Sequence, residues 1–275
     1  MIKAQPIIVA PLFSTLLERL LETLSKLSRE EWQKPTPCPG WSVQDIALHL
    51  LDGDIGQLSR HRDTFEASLI RTNRWEELVD LLNQKNEQWV KATRGTSPRV
   101  LLDLLSFNGG QANQYFATLD PLSKGPGVAW AGTEPTPMWL HIAREYTERW
   151  HHQKQIREAV GKSALTQPSL FAPVLSTFVN GLPRAYAGIT APTGTKVKLS
   201  ITGDSGGHWY LVRGQNSWVL SVGEGRPDAQ LTIDQIDAWK LFTKSLTKEE
   251  VRPRVKVEGD SELALKALDT ISIIA

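Results

Sequence analysis

The chain has 275 residues, enough for one large domain or two ordinary ones. An apolar fraction of 40% and a charged fraction of 22% belong to a globular protein, and a net charge of +1 argues against a role dominated by nucleic acid or an anionic membrane surface. The single cysteine, Cys38, excludes an internal disulfide, no apolar run reaches the roughly 18 residues that span a bilayer, and Met1-Ile-Lys-Ala-Gln-Pro carries no apolar core with a cleavage site, so a cytoplasmic protein that does not enter a membrane is expected.

In chain order, Leu16, Leu17, Leu20, Leu21, Leu24 and Leu27 recur at helical spacing, which predicts an amphipathic helix over residues 10–33. Pro35, Pro37, Pro39 and Gly40 end it. Ser42 followed by Asp45 reads as an N-cap with an acidic partner, opening a helix to about Phe65 that carries His49. A third helix is expected from Trp75 to Thr93, and a fourth from Ser97-Pro98, with Gly109-Gly110 as a possible break. After a Gly/Pro-rich loop, Thr136-Pro137 reads as the cap of a long helix to Val160. Ten tryptophans, several at helical spacing, suggest wide side chains filling gaps between helices. Residues 1–162 therefore predict an antiparallel helical bundle.

The period changes after Gly161. An amphipathic helix is expected from Pro168 to about Tyr186, followed by alternating strands at Lys196–Thr202, Trp209–Arg213, Ser217–Val222 and Ala229–Ile233. Helices at 234–244 and 261–270 flank a short strand at 255–257. Residues 163–275 thus predict a smaller α+β domain with a mostly antiparallel sheet, and the whole chain falls in the α+β class.

The long helix after Thr136 holds the most informative stretch, Glu145-Tyr-Thr-Glu148-Arg-Trp-His151-His152-Gln-Lys-Gln155. Glu148 and His152 lie four apart and share a face, with His141, Glu145 and Gln155 along the same stripe. An inward Glu and His at this spacing is how bundles build metal sites. A metal site that keeps an open position takes three protein ligands, and His49, mid-helix among apolar neighbours, is the best third candidate. His151 is rotated about 100° from His152 and does not easily share a site with Glu148. The plainer alternative is a surface i, i+4 pair beside a core histidine.

Pro37-Cys38-Pro39-Gly40-Trp41-Ser42-Val43, leading to His49, resembles the start of the mycothiol-dependent maleylpyruvate isomerase family, part of the wider DinB/YfiT-like superfamily. The later segment, Glu148, then His152, then Gln155-Ile-Arg-Glu-Ala-Val-Gly161, resembles that family's second motif, with Gln155 where an Asp is usual. The Ala229–Asp234 strand and the Val257-Glu-Gly-Asp260 segment resemble its sterol-carrier-like C-terminal domain. The resemblance implies a DinB-like four-helix bundle whose metal ligands are His49, Glu148 and His152, with Gln155 supporting the ligands. It implies a divalent metal, zinc foremost with nickel or iron as options, and a low-molecular-weight thiol co-substrate. The implied chemistry is transfer to, or isomerisation of, a small electrophilic substrate. Arg71, Arg74 and Arg213 are candidates for an anionic substrate.

Two other classes compete. The same ion could activate water for hydrolysis, or the chain could be a binding or sensor protein whose C-terminal domain holds an apolar ligand. Gly203-Asp204-Ser205-Gly206-Gly207 copies the nucleophile loop of trypsin-like proteases, but it sits between alternating runs as a hairpin turn, after a helical half. Cys38, between prolines, reads as structural. Partners expected are a small molecule and a thiol, with no nucleic acid and no membrane; oligomeric state is not legible.

Overall fold

The computed structural model describes residues 5–65, 72, 74–132, 135–221 and 225–273. Leu16, Leu20 and Leu24 form the buried stripe of α1 (Phe13–Leu24). The single helix expected over residues 10–33 is broken. Ser28 takes extended backbone and closes a capping box with Glu31, which starts a separate turn, α2 (Arg29–Trp32). The expected cap at Ser42 is present, again as a capping box with Asp45, and opens α3 (Val43–Gln57). A π-helical turn at Leu58–Arg62 follows it. α4 (Trp75–Thr93) and α5 (Pro98–Thr118, capped by Ser97) come next.

Gly109-Gly110 does not break α5. A Cβ at Gly109 would stand 2.9 Å from a Leu17 methyl and 3.3 Å from a carboxylate oxygen of Asp54, so the glycine serves close helix packing. Thr136-Pro137 does not cap the long helix either. These residues form a short strand, β2 (Thr136–Pro137), antiparallel to β1 (Lys124–Gly125), and the Thr136 hydroxyl donates to the Pro126 carbonyl. The helix itself, α6, runs Met138–Ala159.

By contacts the described residues gather into two units, one of Val9–Asp120 with Glu145–Leu165 and one of residues 5–8, Pro121–Arg144 and residues 166–273. The first is the helical bundle. Its core joins Leu20 and Leu24 of α1, Ile46 and Leu50 of α3, Leu101 and Leu105 of α5, and Ile156 of α6. Each such side chain contributes about 1.5–3 kcal/mol through burial. His49 faces Glu148 and His152, Asp54 faces Arg149, and Gln57 faces Glu145, so α3 and α6 run antiparallel.

In the second unit the helix expected from Pro168 to Tyr186 is split. α7 (Pro168–Phe178) passes through a tight turn at Val179–Gly181 into α8 (Leu182–Ala185). Pro183 supplies no N–H, so the helical hydrogen-bond ladder is interrupted there although Leu182 keeps helical backbone angles. The sheet follows the expected alternation. Its strands are β3 (Lys196–Thr202), β4 (Gly207–Arg213), β5 (Trp218–Ser221), β6 (Ala229–Asp234) and β7 (Lys256–Gly259), in the order β5-β4-β3-β6-β7. Three pairings are antiparallel; β3 and β6 are parallel, with buried Val197, Leu199 and Ile201 level with Ala229, Leu231 and Ile233. Asp234 and Asp260 cap α9 (Gln235–Phe242) and α11 (Ser261–Leu265), and α10 (Lys248–Val251) lies between them. Among the described residues no helix is long and apolar enough to cross a membrane.

Candidate metal centre

Two helices of the bundle supply the three expected ligands. α3 contributes His49, one turn beyond the capped first turn. α6 contributes Glu148 and His152, stacked at i, i+4. Glu148 Oε1 lies 3.1 Å from Nε2 of His49 and 3.1 Å from Nε2 of His152. The two imidazole rings meet edge to face at 4.7 Å between centroids. One ligand atom from each residue falls within 4.8 Å of the others, a spacing that one ion can bridge. Glu148 is 36% exposed, while His49 and His152 are 13% and 12% exposed, so the cluster is walled by imidazoles and open at the carboxylate.

The protonation pattern tests whether a cation fits. Gln155 Oε1, an acceptor, sits 2.9 Å from His152 Nδ1, so Nδ1 carries the hydrogen. A neutral His152 then turns the lone pair of Nε2 toward the carboxylate oxygen of Glu148. Either a proton or a metal cation has to stand between them. The same geometry acts on both groups: burial opposes charge on His152, but the Glu148 carboxylate and the hydrogen bonds the ring donates to Glu148 and Gln155 raise its pKa. Burial would raise the Glu148 carboxyl, yet the two imidazoles hold it well below the usual range. His49 Nδ1 is buried without a hydrogen-bond partner, so its ring is placed by packing, notably by Trp41 at 5.1 Å between centroids.

Trp41 also donates to Glu87 and walls a cleft of about 440 Å³ at the N-terminal end of α3, together with Gln33, Ser42, Gln44 and Arg94. Asp45 anchors this end by accepting from Arg94 at 2.9 and 3.1 Å. Its buried carboxyl is pushed up by desolvation, but the hydrogen bonds from Arg94 and Ser42 outweigh this and lower it.

Other expected residues fall elsewhere. His151 is buried, and that burial lowers its pKa to about 3, so the ring is neutral at physiological pH. Arg74 is the exposed N-cap residue of α4, Arg213 ends β4 in the α+β unit, and Arg71 lies outside the described residues. Ser205 donates its hydroxyl to the Thr166 carbonyl in a turn opened by Gly203 at φ +99°, a structural bond within the α+β unit. Cys38 is half-buried against the bundle core; burial, and then the charge of Glu148, push its thiol up.

Sequence reasoning missed a second polar layer on the same two helices. Arg149 donates to Glu145 at 2.7 Å and to Asp54, while Gln57 donates to Glu145 at 2.6 Å. The guanidinium carbon lies 5.5 and 5.3 Å from the ring centroids of Phe13 and Phe116, which stack on each other at 4.6 Å. Asp54 and Gln57 at i, i+3, set against Glu145 and Arg149 at i, i+4, are the signal that carried it.

The mycothiol maleylpyruvate isomerase N-terminal domain model matches residues 13–157, and the SCP-2 sterol transfer family model matches residues 182–271. No curated protein matches the chain. Two solved structures share the fold, one of a mycothiol-dependent maleylpyruvate isomerase and one of a point mutant of that enzyme. Each is 10% identical with a TM-score of 0.52, and each match covers 84% of this chain and 86% of the other.

Proposed function

Because the chain belongs to the mycothiol maleylpyruvate isomerase N-terminal domain family, we propose that it is a metal- and thiol-dependent enzyme acting on a small electrophile. The isomerisation named for its structural relatives is the reaction to try first, with mycothiol as co-substrate. The observation that carries the reading is the convergence of His49, Glu148 and His152 on one point. The donor set, two imidazoles and one carboxylate, suits zinc and also takes nickel or iron.

His49 and His152 would bind through Nε2, and Glu148 through the oxygen that both rings already face. A bound divalent cation would lower the pKa of a thiol or water beside it. The chain's own residues do the positioning. Gln155 holds the hydrogen of His152 on Nδ1 and so bares Nε2. Trp41 sets the plane of His49. The exposed side of Glu148 leaves room for a co-substrate to approach, while the imidazoles and Trp41 exclude water from the opposite side.

The test is metal content and turnover, wild type beside His152→Ala. About one divalent ion per chain is expected, lost in the variant together with mycothiol-dependent conversion of maleylpyruvate. A wild-type protein that takes up neither zinc nor nickel would overturn the metal reading. A loaded protein indifferent to added thiol would overturn the thiol reading.

A further inference from the structure

The buried layer of Asp54, Gln57, Glu145 and Arg149 sits on α3 and α6, the helices that carry the metal ligands. Asp54 is 4% exposed and Glu145 is 2% exposed. Desolvating two carboxylates and a guanidinium is expensive, and well-packed apolar residues of similar volume usually do as well or better for stability. The layer therefore calls for a reason other than stability. Its geometry offers one. Arg149 uses Nη1 on Glu145, one turn back on its own helix, and Nε and Nη2 on Asp54 of α3. The guanidinium also lies beside the stacked rings of Phe13 of α1 and Phe116 of α5. Gly109 of α5 lets that helix close on Asp54. Four helices thus meet at one forked, directional group. Leucine contacts tolerate sliding and rotation, whereas a guanidinium fork does not.

We propose that this layer is a positioning device: it fixes the register and rotation of α6 against α3, and thereby sets His49 opposite Glu148 and His152. Asp54 lies five residues beyond His49, and Arg149 directly follows Glu148, so a slip of one residue that broke the fork would also part the ligands. The inference rests on the metal reading for its purpose, though not for its geometry.

The experiment replaces the whole layer by apolar residues (Asp54→Leu, Gln57→Leu, Glu145→Leu and Arg149→Met together). It compares the variant with wild type in three ways: thermal unfolding, zinc affinity by chelator competition, and the imidazole ¹⁵N resonances of the metal-free protein. The expected result is an unfolding midpoint at or above that of wild type, zinc affinity lower by about tenfold to a hundredfold, and loss of the hydrogen-bonded Nε2 signals of His49 and His152. A merely structural layer would move the midpoint alone. Wild-type affinity and wild-type imidazole signals in a folded variant would overturn the proposal. Should the apolar variant not fold, Arg149→Lys keeps the charge and loses the fork; unchanged zinc affinity there overturns the proposal equally. If wild type itself takes up no zinc, the metal reading falls, and the metal-free ¹⁵N signals still decide the register.

Discussion

α3 and α6 hold two polar layers about a turn apart, and they solve the same electrostatic problem in opposite ways. In the inner layer, Asp54 and Glu145 share the Arg149 guanidinium, which is only 14% exposed. The two carboxylates keep that group protonated in spite of its burial. The cation is part of the chain. In the outer layer, Glu148 faces two imidazoles, and neither is a permanent cation. Its charge has to be answered by a proton on His152 or by an ion from outside. The buried carboxylates of the inner layer are supplied with their own guanidinium, whereas the half-exposed Glu148 is supplied only with imidazoles, which is what the proposed ligand site requires.

The contrast is broken most directly by removing one group from each layer. Arg149→Ala leaves two buried carboxylates without a cation, and a loss of about 3–5 kcal/mol in unfolding free energy is expected with or without metal. Glu148→Gln should change metal-free stability by less than about 1 kcal/mol and abolish metal retention. Denaturant unfolding of both variants, metal-free and zinc-loaded, checks the pair; equal losses in the metal-free proteins would erase the distinction. Next in size is Gln155→Ala, which frees the His152 ring and should lower metal affinity by about tenfold to a hundredfold while leaving unfolding of the metal-free protein nearly unchanged. Calorimetric titration with zinc reads it.

The smallest effect sharpens the comparison at the solvent-facing end of α3, where Arg94 is 46% exposed and its pairing with Asp45 is partly screened. Asp45→Asn should cost about 1 kcal/mol at neutral pH. The folded pKa of Asp45 is lowered, so its contribution is complete above the unfolded value of about 3.9 and is lost as pH falls through the folded value. Urea unfolding should therefore find the variant and wild type converging in acid. A gap that instead widened on acidification would contradict the assignment.

The outer layer was legible in the sequence because Glu148 and His152 share one helix at i, i+4, and because the stretch from Pro37 to His49 resembles a family's first motif. The inner layer was not. Glu145 reads as part of the Glu148 stripe, and Asp54, Gln57 and Arg149 look like ordinary surface groups until α3 and α6 are laid antiparallel, and only that pairing sets Asp54 beside Arg149. The positions of the main helices and the alternation of the strands followed from periodicity, whereas the breaks within residues 10–33 and 168–186 did not. The misread positions were those where a local group has a rival use. Thr136 spends its hydroxyl on the Pro126 carbonyl, Ser28 opens a capping box inside a leucine-rich run, and Gly109 admits a neighbouring helix instead of bending its own.

His49 and Glu148 are 99 residues apart in the chain, and their meeting carries a kinetic and a thermodynamic consequence. No local fragment holds both, so the pocket comes into being late in folding, after the entropy of closing that long loop has been met. An ion that recognises the assembled trio binds the folded chain alone. By mass action it then stabilises the bundle as a whole, by about 2.7 kcal/mol when free ion stands at a hundredfold excess over its dissociation constant. The centre would then serve as a clasp between distant parts of the chain, drawn tight or left slack by how much metal the surroundings hold.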